Sequence, residues 1–66
     1  MKIEVGQTFH KKGNSYKYHI MAIILDDPET QVVFRYFGKY KQWWHYEIEY
    51  EFGFLDAVKI GLYIMD

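Results

Sequence analysis

An all-β fold of five short strands in a single domain, residues 1–66, is what this sequence predicts. Three observations lead there. Apolar and polar side chains alternate with a period of two through most of the chain, turn-forming residues punctuate it, and 21% of it is aromatic. Alternation marks half-buried strands, and β-branched and aromatic side chains suit a pleated surface. A chain this short buries only about 60% of its unfolded surface, so each large side chain matters. Each aromatic ring can bury about 150–250 Å², which lets so small a domain fold without staples.

The elements follow in order. A first strand is expected around Lys2–Val5, extended toward His10. Lys11-Lys12-Gly13-Asn14 signals a turn, because Gly and Asn tolerate positive φ. Tyr16, Tyr18, Ile20, Ala22 and Ile24 share one parity, with Lys17, His19, Met21 and Ile23 on the other. That strand starts half exposed and becomes buried on both faces. Asp26-Asp27-Pro28-Glu29 is a second turn, with φ pre-set at Pro28. Thr30 to Phe37 is rich in β-branched and aromatic residues, and Gly38 and Lys39 end it.

The sharpest signal lies between Trp44 and Phe52. Trp44, Tyr46, Ile48, Tyr50 and Phe52 alternate with His45, Glu47, Glu49 and Glu51, which predicts a strand with one apolar and one acidic face. The glutamates are expected on an exposed face, where charge discourages edge-to-edge pairing. A helical alternative, with Tyr46, Tyr50 and Phe54 at i, i+4 and i+8, ranks second. Glutamates at every other position would circle a helix and leave no clean stripe. Gly53 is expected to end the strand, residues 54–58 to hold a short helical turn, and Val58, Ile60, Leu62 and Ile64 to alternate along a last strand. Closing such a sheet, or bending it strongly, removes exposed edges that a small domain could not hide.

Composition narrows the chemistry. With no cysteine, zinc ribbons and catalytic thiols are excluded, and a reducing cytoplasmic setting is expected, since secreted domains of this size usually carry disulfides. The start of the sequence lacks a charged-then-apolar leader pattern, and the longest apolar run, Ile20 to Leu25, is too short to cross a bilayer. Membrane partners are not expected. Net charge is −1 but uneven. Residues 1–45 carry seven basic against four acidic side chains, whereas residues 46–66 carry Lys59 against Glu47, Glu49, Glu51, Asp56 and Asp66. Both sets read as ordinary solvated faces ahead of a steering dipole.

His10, His19 and His45 fall in separate elements without metal-ligand spacing, so no metal or cofactor is expected. Glu47, Glu49 and Glu51 share a strand face at roughly 6.5–7 Å per step, a distance acid–base chemistry could use. Such chemistry also needs a pocket that a chain this small rarely encloses. Ser15 is the only serine, and no phosphate-cradling glycine loop occurs. A non-enzymatic protein is expected.

Val5-Gly6-Gln7, Phe9, Lys12-Gly13-Asn14, Tyr16, Ile20 and Ala22, followed by Gln31 to Tyr36, Trp43-Trp44, Phe52 and Phe54, resemble small phage and bacterial families of unknown function. Those families are expected to form SH3-like or Tudor-like barrels. The resemblance runs over residues 5–54 and departs in the acidic alternation after Trp44 and the apolar tail from Ala57. It implies a small SH3-like barrel, with an OB-like barrel as nearest competitor, and a phage or mobile-element accessory protein without catalytic residues.

Function is therefore expected to be binding. Phe34 to Tyr46 holds seven aromatics in thirteen residues, and alternation sends some to each sheet face. Aromatics and arginine dominate interface hot spots. A protein partner is expected on Arg35, Phe37, Tyr40 and Trp43, with Glu47, Glu49 and Glu51 as a second, charged contact. A homodimer would bury the same patch. Trp43 and Trp44 are adjacent, so one is expected in the core and the other outside. The alternative is a nucleic-acid binder using Arg35, Tyr36, Lys39, Lys41 and Trp43, which mixes cations with stacking rings. A pI near 6.3 and the acidic stripe stand against it.

Overall fold

The computed structural model describes residues 2–26 and 28–66. Its elements are β1 (Thr8–Lys11), β2 (Tyr18–Ile24), β3 (Gln31–Phe37), β4 (Trp44–Tyr50), α1 (Glu51–Lys59) and β5 (Tyr63–Met65). All five strands form one antiparallel sheet in the order β4-β3-β2-β1-β5. The domain is thus all-β with one short helix, and its sheet is not closed.

The sheet is nevertheless strongly curled. β4 and β5 lie at opposite ends of the strand order, which a flat sheet would hold roughly 19 Å apart at about 4.8 Å per step. Yet the Tyr63 hydroxyl on β5 donates to Glu49 Oε2 on β4, and Lys11 Nζ on β1 reaches Glu47 Oε1 on β4 at 3.1 Å. Such contacts require a concave face. That concavity holds the core of Ile3, Phe9, Tyr18, Ile20, Val32, Phe34 and Phe54. Phe9 sits at its centre, 5.2 Å from the rings of Tyr18 and Phe34 and 5.0 Å from Phe54. α1 covers the concavity by inserting Phe54, which is fully buried. Burying such a ring contributes about 1.5–3 kcal/mol.

Four local expectations are corrected. Residues 2–5 are not a strand; Ile3 packs into the core, and the chain reaches β1 through Gly6, whose φ is +96°. β1 therefore starts at Thr8 and absorbs Lys11, while the turn narrows to Lys12 and Gly13 (φ +95°). In β2, single parity fails. The register with β3 shifts between Ile20 and Ala22, so Ile23 meets Val32 on the core side, while Ala22 pairs with Val33 and Ile24 with Gln31. A bulge of this kind inserts one residue and reverses facing beyond it. The expected turn at Asp26–Glu29 includes Asp27, which lies outside the described residues.

The fourth correction concerns the C-terminal third. The strand stops at Tyr50, and the Glu51 amide donates to Thr30 O at 2.8 Å as the helix begins, so Gly53 lies inside α1 rather than ending β4. The helix ends in a Schellman arrangement. Leu62 N donates to Ala57 O at 2.9 Å and Gly61 N to Val58 O at 3.2 Å, with Gly61 at φ +84°. Ile60 and Leu62 consequently belong to this turn, and β5 shrinks to three residues.

Candidate interaction surface

β3 and β4 pair Phe37 with Trp44, Arg35 with Tyr46, Val33 with Ile48, and Gln31 with Tyr50. Because side chains alternate across a strand, this set faces away from Val32 and Phe34. It forms the convex side of the sheet. There Trp44, Tyr46, Ile48 and Tyr50 are 40%, 59%, 56% and 50% exposed. Phe37 and, from β2, Ile24 extend the apolar surface on the same face.

This reverses the expected orientation of β4. Its acidic side faces inward, and Glu47 and Glu49 are half-buried. Each is held by a partner: Lys11 bonds Glu47, and Tyr63 donates to Glu49. Lys11 Nζ also lies 4.8 Å from the Tyr18 ring and 5.2 Å from that of Phe34. The concave face is already filled by phenyl rings, and its β4 margin takes side chains that can satisfy one cation and one phenol. Glu51 stands apart from both, in the first turn of α1. The Tyr63 phenol is pushed well above its ordinary range, first by burial and then by the hydrogen bond it donates to Glu49. Burial likewise raises Tyr18.

Arg35 is the one formal cation among the β3 and β4 residues of the convex side. Its guanidinium carbon lies 3.9 Å from the Trp44 ring centroid, and Nη1 donates to Tyr46 Oη at 2.9 Å. Its Nε is covered and has no hydrogen-bond partner. Stacking fixes the plane of the guanidinium, and Trp44 is further braced by Phe37 at 5.4 Å and His19 at 5.8 Å. The result is a preorganised aromatic cluster on a sheet face.

The β3–β4 connection carries the remaining predicted residues. Gly38 N donates to Trp43 O at 2.9 Å and Gln42 N to Gly38 O at 3.0 Å, with Gln42 at φ +54°. A Cβ on Gly38 would lie 2.5 Å from His45 Nε2, so glycine is what allows His45 to stack on Tyr36. Tyr40 stands 95% exposed at the tip. Neither tryptophan is core: Trp43 lies just before β4 and is also exposed, with Lys41 Nζ 5.4 Å from its ring. Thus Arg35 and Phe37 sit on the convex face, Tyr40 and Trp43 at the hairpin tip, and the glutamates elsewhere. Of the alternative set, Tyr36, Lys39 and Lys41 line one hollow with Tyr16 and His45, with Trp43 beside it and Arg35 on the other face.

Sequence reasoning missed Trp44, Tyr46, Ile48 and Tyr50 as surface residues. Their alternation was legible, but its facing was not. No sequence signal labels the two faces: the register that pairs Phe37 with Trp44 carries the inward facing of Val32 and Phe34 over to Glu47 and Glu49. Among the described residues, no group of three or more His, Asp or Glu side chains is placed to hold a metal ion. No described helix is long and apolar enough to cross a membrane. Compared with known proteins, the chain matches no family model, no curated protein and no solved structure.

Proposed function

We propose that this chain is a non-enzymatic protein-binding module whose contact surface is the convex side of the β3–β4 hairpin. One observation carries the reading: four large apolar side chains in a row, Trp44, Tyr46, Ile48 and Tyr50, are exposed on a face that no other element covers. Antiparallel sheets that face water ordinarily do so with polar side chains. Contiguous apolar patches of this kind mark interaction sites. Arg35 and Phe37 belong to the same surface, whereas Tyr40 and Trp43 stand at the hairpin tip beside the hollow of the opposite face. Glu47 and Glu49 are engaged by Lys11 and Tyr63 and serve the fold. The resemblance over residues 5–54 supports reading it as a phage or mobile-element accessory protein of the SH3-like kind that acts on a host protein. The lack of cysteine supports a cytoplasmic setting.

The test is capture from bacterial lysate with and without nuclease, comparing the wild type with Trp44→Ala. A stoichiometric protein band should survive nuclease and weaken about thirtyfold or more in the variant, as loss of an interface aromatic worth about 2 kcal/mol requires. A second reading rests on the hollow at the hairpin end, where Lys39 and Lys41 accompany Tyr36 and Tyr16. A single-stranded nucleic acid could stack and pair its phosphates there. Recovery of nucleic acid alone, lost on nuclease treatment and weakened about tenfold by a few-fold rise in salt, would replace the protein-binding reading with this one.

A further inference from the structure

We infer that the outer edge of β4 receives an extended segment of a partner protein as a sixth strand. The segment carries apolar residues on one parity and basic residues on the other. This rests on the reading above and specifies how the partner docks. Backbone pairing carries the argument. Glu51 N donates to Thr30 O and Gly38 N to Trp43 O, so these are hydrogen-bonded pairs at the two ends of the hairpin. An antiparallel ladder alternates bonded with unbonded pairs. The unbroken register between β3 and β4 then puts Trp44, Tyr46, Ile48 and Tyr50 in the unbonded set. Their amides point away from β3 along about 20 Å of strand. β4 ends the strand order, and these amides and the carbonyls of Trp44, Tyr46 and Ile48 have no partner among the described residues. Proteins ordinarily blunt an edge by keeping it very short, or with a bulge, a proline, a lysine or a covering element. β5, the opposite edge, has three residues. β4 has seven, with no proline, no lysine and no shift of register.

Side chains define the segment. Residues of an added strand stand opposite those of β4 and share their faces, with Cβ atoms about 4.5–5.5 Å apart. Those opposite Tyr46, Ile48 and Tyr50 meet the exposed apolar row, which a hollow lined by Gln31, Ile48, Glu49 and Tyr50 adjoins. Those between them stand opposite Glu47 and Glu49. Lys11 occupies Oε1 of Glu47 and Tyr63 occupies Oε2 of Glu49, and the second oxygen of each has no partner among the described residues. Glu49 has no ion-pair partner among them either. A lysine or arginine opposite it completes the charge pairing. The same glutamates turn away a second copy, because β4 laid on β4 in full antiparallel register sets Glu47 against Glu47. The occupant is therefore a different chain.

Hydrogen exchange, read amide by amide by NMR on the full chain, tests this. Without a partner, the amides of Trp44, Tyr46, Ile48 and Tyr50 should exchange as open ones, while those of Glu47 and Glu49, bonded to β3, stay protected. The probe is a synthetic peptide of about eight residues that alternates valine with lysine. With a dissociation constant of about 0.1 mM, about 1 mM peptide should slow the four edge amides about tenfold. Methylating the peptide nitrogens that face β4 should abolish the effect, and so should replacing its lysines by glutamates. Ile48→Pro removes an edge donor without breaking a bond to β3 and should also weaken the peptide. The methylated peptide tests the same bonds with the protein untouched. Edge amides that stay open with peptide present, or binding that survives methylation, overturn the inference. Protection that grows with the protein's own concentration, without peptide, assigns the edge to a second copy and overturns it too. If a protein captured through Trp44 leaves these amides open, the edge inference fails and the binding-module reading stands. A chain that captures no protein and leaves the peptide unbound removes both.

Discussion

Tyr63 shows how much one side chain can hold together. From β5 it lies 5.1 Å from Phe9 and 5.2 Å from Phe54, and its hydroxyl donates to Glu49 across the gap between the sheet's two edges. Tyr63→Phe keeps the ring and removes the donor, leaving a half-buried carboxylate unsatisfied, and should cost about 1–2 kcal/mol at neutral pH. The loss should shrink in alkali. Unfolded, the phenol ionises near 10.0, whereas burial and Glu49 hold the proton beyond that in the folded chain. Its stabilisation is therefore complete below about pH 10 and is lost as pH rises further, a slope the variant lacks at this site. Denaturant midpoints of both proteins at pH 8 and 11 check this; a gap that widens at pH 11 would contradict the assignment. Asp66 sets the opposite limb, its carboxyl held low by hydrogen bonds from Thr8 and His10. Its contribution is present above the ordinary carboxylate range and lost as pH falls through it.

The glycines of α1 and its terminus decide the fate of the last third of the chain. Gly61 at φ +84° forms the stop that turns the chain into β5, while Gly53 lies within the helix with nothing near its absent Cβ. The two should respond to alanine with opposite signs. Gly61→Ala meets no neighbour but strains the left-handed backbone, lowering stability by about 1 kcal/mol. Gly53→Ala restricts the unfolded chain and should raise it by about 0.5–1 kcal/mol. Urea midpoints distinguish them; two changes of the same sign would mean that the helix terminus is misassigned. Period-two reading overran the strand here because the alternation of β4 continues through Glu51 and Phe52, whereas the chain turns into the helix at Glu51, whose amide donates to Thr30 O.

At the scale of the molecule, stability rests on one aromatic cluster. A domain of this length holds about 3–10 kcal/mol in total. Phe34 is fully buried and touches Phe9, Tyr18, Phe54 and Tyr63. Phe34→Ala should remove about 3–5 kcal/mol and leave a large unfolded fraction at 25 °C. Tyr40→Ala, at the exposed hairpin tip, should stay within about 0.5 kcal/mol of the wild type. Thermal melts followed by circular dichroism report both. Similar losses in the two variants would refute a core centred on Phe9 and Phe34.

Much of this molecule is written in its sequence. The β-branched and aromatic run from Thr30 to Phe37 and the alternation from Trp44 to Phe52 determined two strands, the β-rich composition determined the fold class, and the aromatic count determined that some rings would lie outside. These are local properties, set by side-chain period and backbone preference. What tertiary structure alone decided was facing. Alternation gives two faces and no label for either, and the bulge after Ile20 changes which residues of β2 look inward. The core took its rings from Phe9, Tyr18, Phe34 and Phe54, so β4 turned its glutamates toward Lys11 and Tyr63 and its aromatics toward the outside. That orientation depends on which side of the sheet α1 covers and on how far the sheet curls, and both are settled by packing between residues distant in the chain.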